Sequence, residues 1–141
     1  MKQNNWFDPF FILENLSNEE KLIQKNVKDF SDSFLRPTVV AHNRDHKFDR
    51  DLYKEFGQRG LLGSTVKNHG GAGASSAAYG LIAYEIEKVD SSYRSSISVQ
   101  SSLVIHPIDS FGSDEQKERY LPELISGIKI GCFGLTESEA G

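Results

Sequence analysis

Apolar residues recur every three to four positions through most of this chain, a spacing that predicts amphipathic helices. Ser17-Asn18-Glu19-Glu20 is a capping box that opens the first of them. Leu22, Ile23, Val27, Phe30 and Phe34 follow at helical intervals, and Arg36-Pro37 predicts its end. Thr38 to Arg44 is expected to add a helical turn or two. Asp49 can cap a helix over 50–59, with Leu52, Tyr53 and Phe56 turned inward and Gly60 as its stop. The pattern then breaks. Residues 61–74 hold Gly63, Gly70, Gly71 and Gly73 and read as a loop.

Ser75 or Ser76 can cap the next helix, where helical spacing returns through Tyr79, Ile82, Ala83, Ile86 and Val89. Asp90 can cap a further helix that runs to about Ile105, ahead of Pro107. Ser113 to Gln116 is a second capping box, before Tyr120, Leu121, Leu124 and Ile125, with Pro122 expected to bend or divide that helix and Gly127 to end it. Residues 128–135, Ile-Lys-Ile-Gly-Cys-Phe-Gly-Leu, are short, apolar and interrupted by Gly, the signature of a strand. A strand needs a partner for its backbone N–H and C=O groups. The fold class expected is therefore mostly α: an arm over 1–16, a helical domain over 17–127, and over 128–141 the first strand of a β domain that lies beyond the chain. Trp6 to Phe11, aromatic and broken by Pro9, reads as an extended arm on the body or a partner, or as a lid on the chain's own core.

With 141 residues and 26% charged side chains, the chain is long enough for one well-packed domain. A net charge of -4, with bases scattered among acids, argues against a nucleic-acid partner. No apolar run approaches the roughly 20 residues needed to span a membrane, and no targeting segment is evident. Cys132 is the one cysteine, so no internal disulfide can form, and its apolar neighbours suggest a buried small hydrophobe. His42, His46, His69 and His106 lack metal-ligand spacing. The glycine loop at 68–73 is neither a P-loop nor a dinucleotide fingerprint.

The chemistry-bearing segment is serine-rich. Seven serines lie between 91 and 102, in a helix that serine disfavours. Such residues allow close packing or line a polar pocket. Arg94, Ser98 and Ser102 share one face, and an Arg among hydroxyls can bind a carboxylate through its planar donor fork. On spacing alone, the more ordinary reading of Arg94 is half of a structural ion pair, with Glu87 as its partner. Gly134-Leu135-Thr136-Glu137 offers backbone donors and one hydroxyl to a heterocycle or phosphate.

Taken together, Gly57 to Gly63, Tyr79-Gly80, Phe111 to Lys117, Tyr120-Leu121-Pro122 and Phe133 to Glu137 resemble, in order and spacing, the acyl-CoA dehydrogenase family. Within it, 79–81, 87–95 and 98–108 look most like the glutaryl-CoA dehydrogenase branch, as do the Trp-Phe-Asp-Pro arm and 131–137. The resemblance implies an N-terminal helical domain, a middle β domain and a C-terminal helical bundle, usually in a homotetramer. It implies FAD as cofactor. Glutaryl-CoA would lose a proton from its α carbon and a hydride from its β carbon, then CO2, giving crotonyl-CoA. Electrons would pass to an electron-transfer flavoprotein. Arg94 then matches the arginine that binds the distal carboxylate, Ser95 and Ser98 match polar substrate contacts, and Glu87 matches an acid that holds the arginine. Phe133, Gly134, Leu135 and Thr136, with the loop to Gly141, match the first FAD-contacting segment. Ser138 stands where the family often has Pro. The catalytic glutamate would belong to the C-terminal domain, so the chain alone is expected neither to turn over nor to hold FAD tightly. The implied setting is bacterial cytoplasm, or the mitochondrial matrix in a eukaryote.

Overall fold

A computed structural model describes residues 8–140 of the chain. A 3-10 turn, Ile12–Asn15, leads into α1 (Asn18–Phe30), α2 (Arg36–Arg44) and α3 (Leu52–Gln58). A long loop precedes α4 (Ser76–Glu87), α5 (Ser91–Ser98), α6 (His106–Phe111) and α7 (Asp114–Ile125). The helix starts are the ones the cap residues specify. Ser17 and Ser113 close complete capping boxes, Ser75 accepts from Ala78 N, and Asp90 accepts from Ser92 N. Asp49 acts earlier than expected: its Oδ1 takes Asp51 N in a turn, and α3 begins at Leu52.

Two prolines do not end helices. Pro37 and Pro107 each sit in the first turn of a helix that continues from a π-helical stretch, Ser31–Leu35 and Val99–Ile105 respectively. A proline removes one N–H donor and pushes on the carbonyl a turn earlier. The wider π turn supplies the slack, so α1 runs into α2 and α5 into α6 without a loop. Pro122 likewise sits inside an undivided α7.

The core draws on every helix but α2 and α6. Phe56, Leu62, Ile82, Ile86, Ile97, Ile105 and Leu121 are fully buried, with Val27, Phe30, Leu35 and Tyr93 around them. Leu22 and Phe34, expected inward, are half-exposed. The glycine loop is itself core: Leu61, Leu62, Val66 and Ser64 are buried. Gly63, at φ 58, passes between Ile105 and Ile125, where a Cβ would lie 3.0–3.1 Å from their side chains.

After Gly127 (φ 74) the chain leaves the helices, as its composition predicts. Residues 128–136 are not paired as a strand, however. Among the described residues the one bridge is Glu137 with Ala140, which closes a turn. Among the described residues no second extended segment pairs with it, and a strand exists only against a neighbour. Cys132 is exposed, since none of the described residues covers this segment, and the expectation of a buried thiol is corrected. Trp6 and Gly141 lie outside the described residues. Among the described residues no helix is long and apolar enough to cross a membrane, and no group of three His, Cys, Asp or Glu could hold a metal.

Candidate functional site

Helices α4 and α5 meet at a tight turn and run antiparallel. Two side-chain bonds fix their register. Glu87 Oε2 accepts from Arg94 Nε at 2.6 Å, and Tyr79 OH bonds Ser102 Oγ at 2.8 Å. Glu87 and Tyr79 are eight residues apart on one side, Arg94 and Ser102 eight apart on the other.

The serines divide into two groups. Ser91 Oγ donates to Glu87 Oε1, Ser92 bonds the capping Asp90, and Ser96 Oγ donates to Ser92 O at 2.8 Å. Ser101 Oγ accepts from Gly63 N at 3.0 Å and anchors the buried loop, while Ser102 meets Tyr79. Five of the seven hydroxyls thus have structural work. Ser95, adjacent to Arg94, and Ser98, one turn beyond it, are half-buried and make no side-chain hydrogen bond to the described residues.

Arg94 is half-exposed, its side chain at 36%. Glu87 takes only Nε, so Nη1 and Nη2 have no hydrogen-bond partner among the described residues. Beside them is an open concavity of about 480 Å³, lined by Gly80, Ala83, Tyr84, Glu87, Lys88 and Arg94. Gly80 faces open space: a Cβ there would meet nothing within 4 Å. A helix-interior glycine is less stable than alanine by roughly 0.5–1 kcal/mol, and no packing contact among the described residues explains it. Glu87 is held below the usual carboxylate range by the Ser91 hydroxyl first and by the Arg94 guanidinium second. It therefore stays ionised and offsets the arginine. Sequence reasoning found Arg94 and Glu87 but missed the α4 wall of Gly80, Tyr84 and Lys88.

The buried Glu85 belongs to a different surface. Gln24 Nε2 and Lys88 Nζ donate to it at 2.8 and 2.9 Å, at the edge of an apolar hollow of about 570 Å³ between the 3-10 turn, α1 and α4.

The segment with the implied cofactor residues is tied to the same helical run by Gln100. This fully buried amide donates to Leu124 O and Lys129 O and accepts from Gly131 N, each at 2.9 Å. Beyond Gly131 the segment is exposed: Phe133 at 50% and Leu135 at 70%, with Thr136 also open. The backbone N–H groups of residues 132–136 donate to no backbone carbonyl among the described residues, and Gly134 has open space around it. No hydrogen bond joins this segment to Arg94.

Comparison with known proteins identifies the helical fold. A family model described as the N-terminal domain of acyl-CoA dehydrogenases matches residues 17–128. An acyl-CoA dehydrogenase of Bacillus subtilis (strain 168) is 35% identical over 89% of the chain. Among solved structures, a glutaryl-CoA dehydrogenase from Mycobacterium smegmatis in complex with FADH2 superposes with a TM-score of 0.90 at 41% identity, covering 94% of this chain and 34% of that one. Butyryl-CoA dehydrogenase from Megasphaera elsdenii superposes with a TM-score of 0.81 at 34% identity, over 90% of this chain and 34% of that one. The chain thus spans about a third of the length of its relatives, 34% in the Bacillus protein.

Proposed function

This chain belongs to the acyl-CoA dehydrogenase family, whose N-terminal helical domain it forms, and from that premise we propose that it recognises the acyl tail in an FAD-dependent glutaryl-CoA dehydrogenase. The observation that carries this reading is the half-engaged guanidinium. Glu87 orients Arg94 through Nε and leaves Nη1 and Nη2 without a bond among the described residues, on an arginine that lines a concavity. A carboxylate is the group that such a fork binds best. Ser95 and Ser98 supply two further hydroxyls within a turn of it, neither engaged by the fold.

The exposed stretch Phe133–Thr136 fits a flavin contact. Its unengaged N–H groups and the Thr136 hydroxyl can donate to ring heteroatoms, and Gly134 lets a planar group approach. Gly141 is proposed to extend this contact. Bound there, FAD would supply the hydride acceptor. The chain's own residues bind and orient: Arg94 fixes the distal end of the acyl group, and Ser95 and Ser98 line its path. In the whole enzyme, oxidation and decarboxylation would yield crotonyl-CoA and CO2. Electrons would go to an electron-transfer flavoprotein, and the enzyme would assemble as a homotetramer in the bacterial cytoplasm or the mitochondrial matrix.

The likeness to butyryl-CoA dehydrogenase favours a second reading, an enzyme for an uncharged acyl chain. Arg94→Ala in the full-length enzyme separates the two. Losing a charged hydrogen bond costs about 1.5–3 kcal/mol, so kcat/KM for glutaryl-CoA should fall roughly 10- to 150-fold relative to butyryl-CoA. Equal losses on both substrates would favour the uncharged chain.

A further inference from the structure

A carboxylate beside a guanidinium ordinarily takes it with both oxygens, in two parallel N–H···O bonds. Glu87 does not. Its Oε2 accepts from Arg94 Nε at 2.6 Å, while its Oε1 is turned away and accepts from the Ser91 hydroxyl. Glu87 thus sits between two donors from the start of α5, and only one of them is the arginine.

We infer that Ser91 is a positioning residue, which holds Glu87 to a single bond with Arg94 and so reserves the Nη edge for a carboxylate ligand. The inference deepens the reading above and rests on it. Without the Ser91 hydroxyl, the exposed Oε1 keeps only water as a donor, and the unengaged donors of Arg94 compete for it from the same chain. Rotation of the Glu87 carboxylate would then form the two-bond fork. Such a competitor is part of the same chain and loses no translational freedom on binding, so it displaces a ligand carboxylate at an advantage.

Ser91 is separable from the fold. The α5 cap is Asp90, which bonds Ser92 N at 2.8 Å and Asn43 Nδ2 at 3.1 Å, so a change at Ser91 leaves the helix start intact. Ser91 is itself exposed, and no core contact depends on it.

The test uses the full-length holoenzyme and the isosteric pair S91T and S91V, which differ only in the hydroxyl, with S91A alongside. The quantity read is the ratio of kcat/KM for glutaryl-CoA to that for butyryl-CoA. S91V and S91A should lower it roughly 3- to 10-fold, the equivalent of one net hydrogen bond, mainly through the KM for glutaryl-CoA. S91T should restore it. Because Ser91 acts through Glu87, S91A should have no further effect on the ratio in an E87A background. Equal ratios for S91T and S91V, or an undiminished S91A effect without Glu87, would overturn the inference. If R94A collapses the ratio and S91V does not, the positioning role alone fails. If R94A leaves the ratio unchanged, the substrate reading fails first.

Discussion

Gln100 is a fully buried polar side chain with every amide position used, and Gln100→Leu tests how far it holds the chain's last segment in place. The variant keeps the side chain's approximate size and removes two donors and one acceptor. Lost with them are the bonds to Leu124 O, Lys129 O and Gly131 N. Three bonds at a net value near 1 kcal/mol each set a ceiling of about 3 kcal/mol. The real cost is lower. Lys129 is exposed and Gly131 half-buried, so water can replace the amide there. Leu124 O also accepts from Gly127 N at 3.3 Å. The leucine methyls add some apolar burial. A net loss of about 1–2 kcal/mol remains, which for a domain of this size lowers the melting temperature by roughly 3–8 °C. Thermal unfolding followed by circular dichroism measures the total. Hydrogen exchange at the Gly131 amide measures the local part, which should lose protection ahead of the core. A drop under about 2 °C, with Gly131 still protected, would refute the claim that this amide anchors the segment.

Two glycines should respond oppositely to alanine. At Gly57 a Cβ would lie 2.3 Å from the Ser126 backbone, so Gly57→Ala should destabilise by about 1–3 kcal/mol, whereas Gly80→Ala, with open space around it, should stabilise by about 0.4–1 kcal/mol; urea unfolding midpoints check both. Glu20, Glu87 and Asp90 are held below their ordinary values, first by the hydroxyls of Ser75, Ser91 and Ser92 respectively. A depressed carboxylate contributes stability above its unfolded value and loses it as pH falls through the folded one, so the unfolding midpoint should drop below about pH 4.5, and less steeply in Glu20→Gln, by urea titration across that range.

Much of this fold was legible because its signals are local. Ser17, Ser75, Asp90 and Ser113 mark helix starts through bonds that span two or three residues, and each does so in the structure. The failures are non-local. Pro37 and Pro107 read as stops because the rule assumes an α turn before them, and the π turns that accommodate them have no sequence signature. Segment 128–135 reads as a strand from its composition, but pairing depends on a neighbour that periodicity cannot see. The same division holds at the site. Arg94 and Glu87 stand out as charges near a helix turn, while Gly80 acquires meaning only once the space around it is known. Ser91 looked like one serine among seven until its partner was placed.

Exposure decides what Arg94 can do within this chain alone. A single guanidinium at 36% exposure, already bonded to Glu87, meets an incoming carboxylate in a largely aqueous setting. Exposed pairs of this kind contribute about 0–1 kcal/mol, against an association cost of several kcal/mol for lost freedom. Free glutarate should therefore bind this chain more weakly than about 1 mM. The same contact at lower effective dielectric, near 20, is worth roughly four times its value in water at equal distance. Selectivity for a carboxylate tail then requires the concavity over Gly80, Tyr84 and Lys88 to be closed by something that excludes water. Amide chemical shifts of residues 87–98, followed during glutarate titration, measure this directly. Saturation well below 1 mM, abolished by Arg94→Ala, would show that the helical domain recognises the dicarboxylate without any such cover, and the argument from exposure would be wrong.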